Sequence, residues 1–284
     1  MLYNGKTVQI MAMSECPNHC AHCCIRYKGH IPFEQLDQMM DKYSKEYERV
    51  ILNGTELMMD ERYIALCDKY GQNFIYTNGN LLNVESRAML KKHGISRLSI
   101  SLHYGIQEQI SEYSLKEISD KIRETLADGF KVRVLCTISR DNYKLIPDIA
   151  AYVYSLGVKS LKFINMIKEG RAEGEVFEGT FLSKTELEEF FDILDETRKK
   201  YDKKDFYITR NGAFGDDEKH KNNFECPAGK DWIVLTPNHK VYPCNGLIYD
   251  EHCIGHWNDE GIFIDKEFRH DCKECMTLIR QLEE

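Results

Sequence analysis

The sequence predicts an α/β fold: a partial (β/α)6 barrel followed by a small unit built on a β-hairpin. Three observations predict it. Short apolar runs alternate six times with amphipathic stretches of helical period, the pattern of a parallel sheet with helices outside. Several of those stretches stop at a glycine, as helices do. The alternation ends near residue 203, where a different, cysteine-bearing segment begins. The expected division is therefore 1–203 and 204–284.

The elements follow in order. Thr7–Met13 reads as the first strand. From Pro32 to Tyr47, the residues Phe33, Leu36, Met39, Met40 and Tyr43 fall on one helical face. Arg49–Gly54, Asn73–Gly79, Arg97–His103, Lys131–Ile138 and Val158–Met166 read as strands two to six. Helices are expected over Asp60–Tyr70, Val84–His93, Leu115–Asp128 and Leu145–Leu156, with Gly71, Gly94, Gly129 and Gly157 beyond their ends. The last, Ser183–Tyr201, opens on Ser183 with Glu186 three residues on, a capping-box pattern. Trp232–Thr236 and Lys240–Cys244 flank Pro237-Asn238-His239 and read as a hairpin in which Asn238 supplies the left-handed residue.

A chain of 284 residues can bury a large core plus an appendage. The net charge of −8, without a Lys/Arg block, argues against nucleic acid as a partner. There is no signal-peptide-like start and no run near 18 apolar residues, so no membrane is expected and the protein should be cytoplasmic. Eleven cysteines then stand out, because a reducing compartment gives disulfides no stable use. They fall into two groups, Cys16, Cys20, Cys23 and Cys24 near the start and Cys226, Cys244, Cys253, Cys272 and Cys275 near the end. Metal ligation is the use that fits.

Cys16, Cys20 and Cys23 are spaced C-x3-C-x2-C directly after the first strand, where a barrel places functional loops. Three thiolates on one loop can hold three irons of a four-iron cluster and leave the fourth open for chemistry. A zinc site is the competing reading, but its fourth ligand would have to be Cys24, adjacent to Cys23. This loop resembles that of the radical S-adenosylmethionine (SAM) superfamily. The resemblance implies a [4Fe-4S] cluster that reductively cleaves SAM, a 5′-deoxyadenosyl radical that removes a hydrogen atom from substrate, and a flavodoxin- or ferredoxin-type electron donor.

The resemblance extends along the chain. His22, before the third cysteine, sits where the superfamily packs a ring on the adenine of SAM. Asn53-Gly54-Thr55-Glu56 resembles its Gly-Gly-Glu turn, with Gly54 and Glu56 matching and Asn53 and Thr55 departing. Glu56 would pair with the SAM ammonium. Strand parity turns Leu98, Ile100 and Leu102 to the helices and Ser99, Ser101 and His103 inward. Ser101, then Ser99, would meet the SAM ribose. The same parity turns Arg133 inward as a partner for the SAM carboxylate and makes Cys136 a buried thiol. Asn78 and Asn165 end strands and are further polar contacts.

Cys226, Cys244, Cys272 and Cys275, with the hairpin between the first two, resemble the Twitch domain, a shortened relative of the SPASM domain that holds one auxiliary [4Fe-4S] cluster. A zinc ribbon is the alternative. Gly170-Arg171-Ala172 also resembles a stretch frequent in these enzymes. Cys253 is left as an alternative ligand, a packed thiol, or a hydrogen-atom donor to a substrate radical. The substrate implied is a ribosomally made peptide, epimerised or cross-linked, or else a small polar sugar or cyclitol. With a strand under way by residue 8, no N-terminal leader-binding domain is expected. A non-enzymatic zinc or iron-sulfur protein is the rival class.

Overall fold

The computed structural model describes residues 1–168, 170–212, 226–268 and 275. The chain opens with β1 (Thr7–Met11), a long loop, and α1 (Phe33–Glu46), then β2 (Arg49–Asn53) and α2 (Glu61–Lys69). There follow β3 (Phe74–Thr77), α3 (Val84–Lys92), β4 (Arg97–Ser101), the single turn α4 (Gln107–Ile110) and α5 (Leu115–Ala127). After β5 (Lys131–Ile138) come α6 (Ile146–Ser155), β6 (Ser160–Asn165), α7 (Lys184–Tyr201) and β7 (Tyr207–Arg210). The end of the chain adds β8 (Trp232–Leu235), β9 (Lys240–Tyr242), β10 (Gly255–Asn258) and β11 (Gly261–Ile264).

Local sequence explains the starts. Asp60 Oδ1 caps α2 by accepting from the Arg62 N–H. Capping boxes open α3 (Asn83 with Ser86), α5 (Ser114 with Glu117) and α7 (Ser183 with Glu186). Each such cap is worth about 1 kcal/mol. The apolar faces of these helices bury Leu36, Met40, Ile64, Ile122, Ile149 and Phe190 against the strand residues Ile10, Ile100, Val134 and Phe163 in one core.

The fold is α/β with parallel strands, as expected. β1 pairs in parallel with β2, and β3 to β7 form a second sheet of parallel neighbours. The two sheets meet between β2 and β3 without a strand ladder. Gln72 closes that joint with its side chain: Oε1 accepts from Leu52 N–H (2.8 Å), and Nε2 donates to the Leu52 and Phe74 carbonyls (2.9 and 3.0 Å). One buried amide thus satisfies backbone groups that a ladder would otherwise pair.

The structure goes beyond the six expected strands. A seventh parallel strand, β7, pairs with β6. The hairpin β8–β9 forms where it was read, but β8 also pairs in parallel with β1, Thr7 opposite Trp232. β10 and β11 extend that same sheet as antiparallel strands. The left-handed residue of the hairpin turn is His239 (φ 61°), which corrects the choice of Asn238. His239 is held there by stacking on Trp257 (4.2 Å between centroids), while Asn238 Oδ1 accepts from Thr236 Oγ1. Among the described residues no helix is long and apolar enough to cross a membrane.

Candidate active site

The loop from β1 to α1 carries the cysteines and is pinned at several points. Ala21 N–H and His22 Nδ1–H both donate to the Ile110 carbonyl (3.2 Å each), and His19 N–H donates to Glu112 (3.1 Å). From the other side, Arg171 N–H donates to the Cys23 carbonyl (2.9 Å). Gly170 permits that approach: its φ is +58°, and a Cβ there would lie 2.5 Å from the Cys23 carbonyl oxygen.

A cavity of about 590 Å³ opens beside this loop, at the C-terminal ends of the parallel strands. Of the residues singled out in the sequence, Cys16, Cys20, Cys23, His22, Thr55, Asn78 and Ser101 line it, together with His103 and Asn165. Cys226, Cys244 and Cys275 line it as well, so both cysteine groups face one space. Cys272 lies outside the described residues. Cys24, the fourth ligand a zinc site would have needed, is exposed and also borders the cavity.

Five of the residues singled out in the sequence lie off the cavity lining. Arg133 and Ser99 sit in one register row with Tyr76 and Ser160, whereas Thr137 and Ile164 at the cavity lie four residues higher. The nearest cavity residue on this side, Ser101, pairs with Leu135 and lies two residues above that row, about 7 Å along the strand. Arg133 is exposed, and its Nε donates to Ser160 (3.1 Å). Parity was right and depth was wrong. Glu56 is fully buried behind the wall, accepting from Thr77 Oγ1 and Asn78 N–H (2.9 Å each) and Met58 N–H (3.4 Å). It holds Asn78 from behind and is not among the cavity-lining residues. Gly54 packs against Met13, where a Cβ would lie 2.8 Å from Cγ, and only its neighbour Thr55 borders the cavity. Cys253 is outside the cavity lining, packed against the cluster of Met11, Tyr27, Val234 and Tyr242, with its thiol donating to the Gly255 carbonyl (3.2 Å).

The electrostatics of the wall follow from burial. Desolvation pushes the Cys16 and Cys20 thiols up, and each feels its neighbouring cysteines. Cys244 is pushed up to about 12 by burial, with Cys275 and Cys226 adding to it. His22 and His103 are both held low by burial, and their rings meet edge to face at 5.1 Å. Their tautomers differ. His22 donates from Nδ1 to a carbonyl, so its Nε2 is an acceptor. His103 Nδ1 accepts from Thr137 N–H (3.0 Å), so its Nε2 carries the proton. Among the described lining residues Arg171 carries the one formal charge.

Sulfur at this site is met by donors. Asn18 N–H and Asn78 Nδ2 both point at Cys16 Sγ (3.5 and 3.4 Å). Asn18 Nδ2 is buried without a hydrogen-bond partner, and the same amide lowers the Cys20 pKa against the pull of burial. Donors and a cation around three thiols suit thiolate sulfur, whose charge a metal cluster would neutralise. Among the described residues no three His, Cys, Asp or Glu side chains converge as they would on a single ion. The residues present fit a [4Fe-4S] group.

Arg171, Asn18, Thr137 and Trp232 also line the cavity. Arg171 was visible only as part of a stretch. Asn18 was legible as an amide between two ligand cysteines. Thr137 shares Arg133's inward parity, and Trp232 begins a strand whose pairing to β1 no local pattern announces.

Fold and site together give a partial α/β barrel with a three-cysteine loop at its mouth. Comparison with known proteins finds the same fold. No protein-family profile matches the chain. It is 28% identical over 204 residues to Fe-coproporphyrin III synthase of Methanosarcina barkeri, covering 66% of this chain and 50% of that protein. Among solved structures it is similar to SuiB of Streptococcus suis bound to its precursor peptide SuiA (TM-score 0.66, 12% identity, 86% of this chain and 60% of that one). It is also similar to anSMEcpe with bound AdoMet and the Cp18Cys peptide (TM-score 0.67, 15% identity, 98% and 83%). The chain thus spans half the length of the curated relative it matches and less than two thirds of SuiB.

Proposed function

We propose that this chain is a radical SAM enzyme acting on a peptide. The observation that carries the reading is the convergence of Cys16, Cys20, Cys23, His22, Thr55, Asn78 and Ser101 on one cavity of a partial barrel. The cluster, when held by the three cysteines, supplies the electron that splits SAM into methionine and a 5′-deoxyadenosyl radical able to take a hydrogen atom from a C–H bond. The chain's own residues bind and orient. His22 offers a ring for the adenine, Ser101 a hydroxyl for the ribose, and Asn78 an amide held from behind by Glu56. Arg171 replaces Arg133 as the cation for the SAM carboxylate. Cys226, Cys244 and Cys275, with Cys272, would hold a second, auxiliary [4Fe-4S] cluster across the same space.

Two structural neighbours carry peptides, which supports a peptide substrate. The curated relative suggests a tetrapyrrole instead. A tetracarboxylate such as coproporphyrin would ask for more cationic side chains than Arg171 alone. The test is anaerobic reconstitution with iron and sulfide. About eight irons per chain are expected, falling to about four when Cys16, Cys20 and Cys23 are replaced by Ala. SAM and dithionite should yield 5′-deoxyadenosine, and the peptide encoded by a short neighbouring reading frame should increase it. A colourless protein that leaves SAM intact refutes the reading.

A further inference from the structure

Asn80 lies outside the cavity lining, yet it is bonded to both amides that face the cysteines. Its Nδ2 donates to Asn18 Oδ1 (2.6 Å), which leaves Asn18 Nδ2 as the buried, unpartnered end of an amide that lines the cavity with the cysteines. Its backbone N–H donates to Asn78 Oδ1 (2.7 Å), which turns Asn78 Nδ2 onto Cys16 Sγ (3.4 Å). Asn80 is itself oriented. Tyr113 Oη donates to Asn80 Oδ1, so the Asn80 amide presents its nitrogen to Asn18. Lys121 Nζ fixes the loop by donating to the Asn80 carbonyl (2.6 Å) and to those of Gly79 and Leu82 (3.1 Å each). Gln107 Nε2 holds the Tyr113 carbonyl (3.0 Å). An amide orientation is set by its partners, and here each partner leaves one choice.

An N–H aimed at a ligand sulfur stabilises the more negative, reduced state of an iron-sulfur cluster and raises its reduction potential. We propose that Asn80 is a positioning residue that aims the Asn18 and Asn78 amides at the sulfurs of the three-cysteine loop, with Tyr113 acting through the Asn80 side chain on Asn18, and so raises the potential of the cluster held there. The inference rests on the reading that these cysteines bind a four-iron cluster.

The test is an EPR-monitored redox titration of the reconstituted full chain, following the signal that SAM perturbs. Asn18→Ala should lower the midpoint. One hydrogen bond to charged sulfur is worth about tenfold in the reduction equilibrium, or about 59 mV for one electron. Tyr113→Phe keeps the ring and loses the hydroxyl, and should shift the midpoint the same way by less. Adding Tyr113→Phe to Asn18→Ala should change nothing further, because Tyr113 acts through Asn18. Full iron with an unmoved midpoint in Asn18→Ala, or additive shifts in the double variant, overturns the inference alone. Should Asn18→Ala fail to load iron, an unmoved midpoint in iron-loaded Tyr113→Phe overturns it. Wild-type protein that takes up no iron overturns the cluster reading and the inference with it.

Discussion

Glu56→Gln isolates the cost of keeping a carboxylate behind the cavity wall. Burial raises the Glu56 pKa from 4.5 to about 7, although Asn78 N–H, Thr77 Oγ1 and Met58 N–H all oppose the rise. The folded state therefore holds this proton more tightly than the unfolded chain does. The contribution to stability is fully present below pH 4.5 and is lost as pH climbs through about 7. At 1.36 kcal/mol per pH unit the whole interval is about 3 kcal/mol, of which about 2.5 kcal/mol falls between pH 5 and pH 8. His22 and His103 work in the opposite sense. Their lowered pKa values remove stability as pH falls below the histidine range, so the wild-type profile alone is the sum of two trends. The difference between wild type and Glu56→Gln cancels the histidines. Gln keeps one oxygen for Thr77 and Asn78 and turns an NH₂ against Met58 N–H, a pH-independent loss of about 1 kcal/mol. Urea unfolding of the metal-free, reduced protein, followed by the fluorescence of Trp232 and Trp257, measures both curves. The wild type should lose about 2.5 kcal/mol relative to the variant from pH 5 to pH 8. A difference flat to within about 0.5 kcal/mol would refute the reasoning.

Two further outcomes follow from geometry. Gly170→Ala places a Cβ against the Cys23 carbonyl and a side chain at positive φ, so it should cost at least about 1–2 kcal/mol in urea unfolding and reduce iron uptake. Arg171→Ala should weaken SAM binding about tenfold in equilibrium dialysis, while Arg133→Ala, exposed and turned to Ser160, should leave it within about twofold.

The fold was legible because periodicity and punctuation agreed. All six expected barrel strands and every expected barrel helix form within two or three residues of their predicted ends. β7 escaped because Tyr207–Arg210 is four residues long and alternates too briefly to register. α4 escaped for the same reason. At the site, spacing and parity identified which residues face inward but not how deep each lies, which is why Ser101 reached the cavity and Ser99 and Arg133 did not. Glu56 misled because a carboxylate in a turn looks exposed on paper, whereas three donors have drawn it into the wall. Asn80 and Tyr113 carried no signal at all, since a network of amides is a property of loops brought together by the fold.

The pairing of β8 with β1 makes the chain indivisible at the point where its sequence changes character. β1 is an interior strand, flanked on both sides, with Val8 and Ile10 wholly buried. A fragment ending at residue 203 would turn it into an open edge, offering unpaired N–H and C=O groups and a bare apolar surface to other chains. Such a fragment should aggregate, whatever becomes of its cysteines. The two cysteine groups are therefore fastened through a shared backbone ladder, and the space between them is set by hydrogen-bond register, which leaves little play for one group to drift against the other.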